Sequence, residues 1–382
     1  GGFYSSLDAD TPEGEGRYYT WTFEVLKSSL SQSEFELLET ITTIRRQGNF
    51  EEGLNALRYK KSLSILAEEM GISIKDLQTK MTLIYEKLHQ RRLRRDPPGK
   101  DTKIILSWNA LAIRAFINAG LYLDRADFLE TGQKALDFIM EEMVDSSGRL
   151  SRIWHAGQAS QPGTLSDLAG LILALHASYE TNFSSHTYQT MRCLYAQLRD
   201  QFTPDETFFF DSSRDVDHLI VRPKTLQDNA LPSGNSLAAH VHWLFWNYDY
   251  DEAHLDRLDL MLLGIAEQAN RYPNHFGYWL QIADLHSQKT SQIALVSDKK
   301  FNSLLPFLNN YHRLYLPNSV IVGKGQSETG DTFPALLKDK RAIDGSPAAF
   351  ICQNFTCMSP ITDPEVFLDM LRGKENNQDQ SD

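Results

Sequence analysis

Apolar residues recur along most of the chain with the spacing of amphipathic helices. Over 105–119 they fall at i, i+3, i+4 and i+7, which places them on one face of a helix. The same spacing predicts further helices over 129–143, 166–180, 186–201, 233–247, 251–270 and 274–287. The fold class is therefore predicted to be mainly α.

The links between these helices alternate in length. Those near 123–125 and 248–250 are short enough for helical hairpins, whereas those at 144–165 and 203–232 are long. Long surface connections are common places for ligand-binding residues. This alternation predicts a ring of helical hairpins whose long loops gather on one face around a pocket.

The pattern changes near residue 291, where short runs typical of strands begin. They lie at 293–296, 314–315, 319–322 and 348–352, with helices predicted near 300–309 and 363–372. We therefore predict three regions: helical hairpins over 1–290, which include an N-terminal hairpin and linker helices, a small α/β appendage over 291–372, and a disordered polar tail over 373–382.

Composition narrows the classes of partner. The 382 residues carry a formal net charge of −12, which disfavours nucleic acid as a partner. No apolar run reaches the ~18–20 residues of a membrane span, so no membrane association is predicted. The three cysteines, Cys193, Cys352 and Cys357, are too few for a disulfide framework. We expect buried thiols, a reducing compartment and hence the cytoplasm.

One segment is similar to a DNA-binding module. Over 62–83, Gly71 has the position of the tight turn in a helix-turn-helix, and four arginines follow over 91–95. The second helix of this segment offers little net positive charge to phosphates. The simpler interpretation is an ordinary helix pair, with the arginines at the end of the longer helix, where the helix dipole favours positive charge.

The first 21 residues combine carboxylates, glycines and aromatic rings, a mixture typical of polar ligand sites. Asp8 and Asp10 lie two positions apart, so on an extended segment both side chains face the same way. They form either a carboxylate pair or a turn in which they bind backbone N–H groups. Trp21 is a candidate for contact with a ligand.

Further candidates lie at helix starts and in long loops. Trp108 fits an apolar stripe and is expected in the core, with ligand contact as the alternative, while Asn109 could face the centre of the ring. His155 lies in a loop, either as a general base or as an exposed histidine without a role. Asp167 could act in a site or cap its helix.

The segment 228–236 supplies the preferred acid or base, Asp228. Ser233 is a predicted N-cap, and Ser233 and Asn235 could contact a ligand at the helix start. His240 and His242 fall on different faces of the same helix, which disfavours a shared metal. No metal or cofactor is predicted.

Four separated strings resemble one family. They are Gly1-Gly2-Phe3-Tyr4-Ser5 with Asp8-Ala9-Asp10 and Tyr19-Thr20-Trp21; residues 91–103 with Ser107-Trp108-Asn109-Ala110-Leu111; Arg222-Pro223-Lys224 with residues 228–236; and residues 349–357 with Thr362-Asp363-Pro364. In this order they are similar to thioredoxin-domain-containing proteins related to spermatogenesis-associated protein 20.

This resemblance implies a partial (α/α)6 toroid of the six-hairpin glycosidase type with a small C-terminal α/β appendage. It also implies that full-length relatives carry a covalently linked thioredoxin-like domain, and that this chain lacks that domain and the first toroid helices. The chain departs from the family pattern at Leu165-Ser166-Asp167-Leu168-Ala169, where members usually have Leu-Asp-Asp-Tyr-Ala.

Two functions follow as hypotheses. The first is a carbohydrate-binding protein, like a glycosidase or an epimerase, with a small sugar-like ligand and possible roles in catalysis for Asp228, Asp167 and His155. The second is a non-catalytic helical scaffold that binds proteins and is attached to a thioredoxin-like domain. Binding of mono- and disaccharides distinguishes the two.

Overall fold

The computed structural model describes residues 1–203, 207–216, 219–326, 332–353 and 356–375. The chain divides into two compact units. The smaller unit is Tyr4–Thr102, and the larger unit comprises Gly1–Phe3 and Lys103–Asp382. The structure therefore places a boundary near residue 102, whereas the predicted boundary near 290 falls inside the larger unit.

The smaller unit has its own apolar core. Its elements are β1 (Ser6–Leu7), α1 (Phe23–Ser29), α2 (Gln32–Ile41), α3 (Leu63–Glu69), α4 (Ile74–Arg92) and β2 (Lys100–Asp101), with β1 and β2 antiparallel. The helices bury Phe35, Leu38, Leu77 and Ile84 against one another. Gly71 forms the turn between α3 and α4 with a φ of 65°, a left-handed conformation that favours glycine.

The larger unit consists mainly of helices, and the predicted mainly α fold class is confirmed. Its first elements are β3 (Ile104–Ile105), α5 (Leu106–Tyr122), α6 (Ala126–Glu142), β4 (Ser151–His155), β5 (Gln158–Pro162), α7 (Leu165–Asn182), α8 (Ser185–Phe202), α9 (Gly234–Asp249), α10 (Glu252–Arg271) and α11 (Gly277–Ser287). β4 and β5 form a hairpin in the long loop before α7, and β3, which directly precedes α5, pairs with β4 to complete a small antiparallel sheet.

The helices alternate between an inner and an outer layer. α5, α7, α9 and α11 contact one another in sequence, and α6, α8 and α10 pack outside them. α7 and α9 are buried on nearly all sides, whereas α8 and α10 bury only one face. This arrangement of inner and outer helices is that of a partial α/α toroid. Within the described part of the chain, no helix is long and apolar enough to span a membrane.

The C-terminal region is an α/β layer that shares the core of the larger unit. Its elements are β6 (Ser291–Val296), α12 (Leu305–His312), β7 (Ser319–Lys324), β8 (Ala348–Gln353), β9 (Thr356–Cys357) and α13 (Pro364–Glu375), and the sheet order is β7-β6-β8-β9. β6 is parallel to β7 and antiparallel to β8. The predicted strand at 314–315 is not formed.

Three contacts join this layer to the helices before it. The Tyr248 hydroxyl on α9 donates to the Ile321 carbonyl at 3.1 Å, and the Gln292 amide donates to Asn247 Oδ1 at 3.1 Å. The Phe183 ring lies so close to Gly323 that a β-carbon there would be 2.2 Å from it. Of the predicted disordered tail, Gly373–Glu375 belongs to α13, and 376–382 lie outside the described residues.

The expectation of three buried thiols is wrong. Cys352 and Cys357 form a disulfide between β8 and β9, and Cys193 is free and exposed on α8. Cys352 and Cys357 are directly paired in the antiparallel register, which brings their side chains together. The sequence gives their spacing of five positions but not this register.

Candidate functional site

The N-terminal ends of the four inner helices lie side by side. The Ser107 N–H at the start of α5 donates to Asp167 Oδ1 of α7 at 2.8 Å. At the start of α9, a β-carbon on Gly234 would lie 3.0 Å from the Leu165 side chain of α7, so glycine permits this close approach. The loops before residues 108, 167 and 233 therefore meet at one end of the larger unit.

Asp167 holds this end of the structure together. It is fully buried and accepts hydrogen bonds from Ser107 N, from Thr164 N and Oγ1, each at 2.8 Å, and from Arg152 Nη1 at 3.0 Å. All these partners are donors, and two are backbone N–H groups near helix starts that would otherwise lack partners. Catalysis by Asp167 stays a prediction, and its carboxylate oxygens already have four partners.

Asp228 has a similar position at the starts of α9 and α11. Its Oδ1 accepts from Ser233 N at 2.9 Å and from Ser236 Oγ at 2.8 Å, and its Oδ2 accepts from Tyr278 N at 2.9 Å. Ser233 caps α9, as predicted, by accepting from Ser236 N at 3.1 Å. Asp228 is buried, and its hydrogen bonds to both helix starts connect these two inner helices.

The two candidate asparagines bind backbone groups of other segments. Asn109 accepts from Phe3 N at 2.7 Å and donates to Phe3 O at 3.1 Å. Asn235 accepts from Phe209 N at 2.9 Å and donates to Phe209 O at 3.0 Å and Thr225 O at 3.1 Å. Each amide side chain therefore acts as a substitute for a neighbouring strand, and both residues are buried.

Replacing Asn235 with alanine is expected to lower the free energy of unfolding by about 2 kcal/mol, because the buried Phe209 N–H and C=O groups lose their partner. Urea unfolding followed by circular dichroism measures this change. The matched control is Asn229→Ala, since Asn229 is exposed. Equal effects of the two substitutions would contradict the role of Asn235 in holding the loop.

Two candidates in the larger unit are exposed. Trp108 is 42% exposed, so the expectation that it belongs to the core is wrong. His155 is exposed at the end of β4 and pairs with Gln158 across a two-residue turn. That turn consists of Ala156 and Gly157 with φ values of 50° and 84°, as in a tight β-hairpin.

The remaining candidates belong to the smaller unit. Asp8 and Asp10 are exposed, and Asp8 Oδ1 accepts from Asp10 N at 3.1 Å, which is the turn interpretation of this pair. Trp21 is buried, and the guanidinium of Arg95 lies 4.1 Å from the centre of its ring. Ligand contact at these three residues stays a prediction.

The structure places a different group of residues around a cavity of about 800 Å³, here called the inner cavity. It lies between α5, α7, α9 and α11, toward the middle and C-terminal parts of α5, α7 and α9 rather than at their capped starts. The polar and aromatic side chains that line it are Arg114, Asn118, Tyr122, His176, Glu180, His240, Trp243, Tyr278, Gln281, Asp284, Tyr311, Tyr315 and Ser319.

A hydrogen-bonded chain crosses this cavity. Arg114 Nη1 donates to the Tyr278 hydroxyl at 2.8 Å, and that hydroxyl lies 2.7 Å from His240 Nδ1. Because a guanidinium only donates, the Tyr278 hydroxyl accepts from Arg114 and its own proton is free to go to His240 Nδ1. This places the proton of a neutral His240 on Nε2.

His176 and Glu180 lie one helical turn apart on α7 and face the same cavity. His176 Nε2 is 3.5 Å from Glu180 Oε1, and this buried nitrogen has no hydrogen-bond partner among the described residues. A buried nitrogen that faces a cavity and has no partner can accept a hydrogen bond from a ligand there.

Burial keeps these groups uncharged near neutral pH. It raises the pKa of Glu180 to about 8, although the Arg114 cation opposes this change. It lowers the pKa of His176 to about 3, and Arg114 lowers it further. The pKa of His240 is also lowered, first by burial and then by Arg114 and His176. The cavity thus combines a protonated carboxyl, neutral imidazoles and a cation.

These residues were missed because the sequence interpretation concentrated on loops and helix starts. Arg114 is the single charged residue of α5, and His176 and Glu180 interrupt an otherwise apolar stretch of α7. Ionisable side chains in the middle of helices that are apolar on all sides were the available signal. Only the packing of the inner helices shows that they share one cavity.

No family model matches the chain. Proteins named spermatogenesis-associated protein 20 from Homo sapiens, Mus musculus and Rattus norvegicus are each 27% identical to it, over 95% of this chain and 51% of the relative. The chain thus spans about half the length of these curated relatives. They confirm the family resemblance inferred from the sequence.

Solved structures with lower similarity were also found. A cellobiose 2-epimerase from Bacillus thermoamylovorans has a TM-score of 0.36 and 13% identity, over 42% of this chain and 43% of its own. A GH76 α-mannanase from Bacteroides thetaiotaomicron has a TM-score of 0.38 and 14% identity, over 45% and 48% of the two chains.

Proposed function

We propose that this homologue of spermatogenesis-associated protein 20 binds a small, hydroxyl-rich ligand of the sugar class in the inner cavity and transfers protons on it. The observation that supports this most directly is the group formed by His176, Glu180, His240 and Arg114. Buried ionisable groups with strongly shifted pKa values in a cavity are typical of acid–base sites.

The lining of the cavity fits a sugar in size and chemistry. A volume of about 800 Å³ lies in the range of small-molecule sites. Asn118 and Gln281 offer both donors and acceptors to hydroxyl groups, and the Tyr278 hydroxyl keeps a second accepting lone pair. The Trp243 ring, packed edge-on to His240 at 5.7 Å, adds an apolar surface for C–H groups.

The titratable groups favour proton transfer, as in an epimerase, over glycoside hydrolysis. Hydrolysis of glycosides usually uses two carboxyl groups on either side of the bond. Here Glu180 is buried whereas Asp284 is exposed, and the other titrating groups near Glu180 are imidazoles, the Tyr122 and Tyr311 hydroxyls and the Arg114 guanidinium. Glu180 has a pKa of about 8, so near neutral pH it can supply a proton and its ionised fraction can take one, while Arg114 can stabilise an oxygen on which negative charge develops. His176, with a pKa of about 3, is too weak a base for this and can accept a hydrogen bond from the ligand at Nε2.

Exchange of carbon-bound hydrogen tests this function. Reducing mono- and disaccharides incubated with the protein in D2O are expected to lose the proton next to the carbonyl, as followed by NMR. Glu180→Gln is expected to slow this exchange by about 100-fold or more, and His176→Asn is expected to slow it less, because His176 only accepts a hydrogen bond from the ligand. The exchange should rise with pH as Glu180 ionises and level off above pH 8, because the carboxylate is the base that takes the proton.

Glu267→Gln is the matched control, since Glu267 is exposed on α10. Saturable sugar binding without exchange would reject the catalytic part of the proposal. Absence of both at millimolar sugar would favour the helical scaffold instead. A cytoplasmic location, a role in carbohydrate metabolism and a linked thioredoxin-like domain belong to the same proposal and are tested separately, by localisation of the protein in cells and by its mass there.

A further inference from the structure

A cleft in the smaller unit concentrates positive charge. It has a volume of about 450 Å³ and is lined by Glu13, Arg17, Thr20, Thr22, Val25, Leu54, Arg91, Arg94 and Arg95. The protein as a whole is acidic, with a net charge of −12. Four arginines around one cleft therefore make a local positive charge, in contrast to the negative charge of the whole protein.

Most of this charge is not neutralised within the protein. Arg17 is paired with Glu52 outside the cleft lining. Arg91 and Arg94 are exposed, and the contacts of the described residues include no carboxylate partner for either. With Arg95 they form three cations against one carboxylate, Glu13, which leaves a surplus of two positive charges.

Hydrogen bonds and a ring contact hold the Arg95 guanidinium in the cleft. Arg95 Nη1 donates to the carbonyls of Arg17, Tyr18 and Thr20 at 2.9, 2.8 and 2.7 Å, and the guanidinium stacks on Trp21. Burial lowers the pKa of Arg95, and the nearby Arg92 and Arg91 cations lower it further, while Glu13 raises it. One guanidinium is thus fixed in place among charges of the same sign.

We propose that this cleft binds a multiply charged oxyanion, namely the phosphate or pyrophosphate group of a small molecule, through Arg91, Arg94 and Arg95. A dianion balances the surplus charge. Guanidinium groups suit phosphate because their parallel N–H donors match its oxygens. The helix dipole at the end of α4 favours the arginines in the empty protein but leaves their N–H groups available.

Calorimetric titration of the whole chain with inorganic pyrophosphate at constant ionic strength tests the proposal. Saturable binding is expected, and the double variant Arg91→Gln/Arg94→Gln should bind about tenfold more weakly or worse. The double variant Arg91→Lys/Arg94→Lys keeps the charge but not the paired N–H donors, so it should fall between these values. This second variant also serves if the glutamine variant does not fold.

The matched control is Arg58→Gln, which removes an exposed arginine of the same unit that does not line the cleft. Three results would overturn the proposal: no saturable heat at millimolar pyrophosphate, unchanged affinity in both double variants, or an equal loss in Arg58→Gln. The last would indicate diffuse charge rather than a site. Sugar exchange in the inner cavity is independent of all these outcomes.

Discussion

Replacing Asp228 with asparagine is expected to lower the free energy of unfolding by about 3 kcal/mol. The buried carboxylate receives hydrogen bonds from Ser233, Ser236 and Tyr278, and all of these partners are donors. An asparagine amide has one accepting oxygen, so its NH2 group would face a backbone N–H without a bond. The positive ends of two helices also favour the ionised aspartate over a neutral side chain.

Urea unfolding at pH 7 measures this effect. Asp256→Asn is the matched control, because Asp256 is exposed on α10. A loss of stability no greater than that of the control would show that Asp228 does not hold α9 and α11 together. That result would favour the predicted role of Asp228 as an acid or base. The exchange assay with the Asp228 variant would then test that role.

Lowering the pH from 7 to 5 is expected to destabilise the protein by roughly 2 kcal/mol for each histidine that stays neutral when folded. Burial lowers the pKa of His254 and of His312 to about 4, compared with an ordinary value of 6.5. The unfolded chain therefore binds protons that the folded chain does not. This part of the stability is complete above pH 6.5 and is lost as the pH falls toward 4.

Glu180 changes stability in the opposite direction. Its pKa is raised when the protein is folded, so its contribution is present at low pH and is lost as the pH rises from about 4.5 toward 8. Between pH 7 and 5, the change that Glu180 makes in the free energy of unfolding offsets the change made by about one of these histidines. Because His176 and His240 are also neutral and buried, the net effect of acid remains destabilising.

Unfolding in urea at pH 7, 6 and 5 measures the slope of stability against pH. His312→Gln should reduce that slope, whatever its effect at pH 7, since it removes a buried imidazole. His186→Gln is the control, because His186 is exposed on α8. The same slope in the wild-type protein and in His312→Gln would mean that folding does not lower the pKa of His312.

The candidate residues illustrate the limit of sequence interpretation at helix starts. An aspartate or asparagine before a helix can contact a ligand or the backbone, and the sequence does not distinguish these uses. Asp167, Asp228 and Asn235 bind N–H or C=O groups that come from segments distant in the chain. Their partners exist only after the chain has folded, so no local pattern identifies them.

The sequence by itself determined the helices, their order and the change to strands near residue 291. These features follow from the spacing of apolar residues and from Gly and Pro in the links, which act over a few positions. The predicted helix over 166–180, for example, corresponds to α7, Leu165–Asn182. Family resemblance was likewise a property of the sequence.

Only the tertiary structure decided which side chains share a site. Arg114, His176, His240 and Tyr278 come from four helices, and each occupies a helical position whose neighbours in sequence are largely apolar. Their shifted pKa values arise from burial and from one another, and both depend on how the inner helices pack. The chemistry of the cavity is therefore a property of the packing, whereas the helices that form it are a property of the sequence.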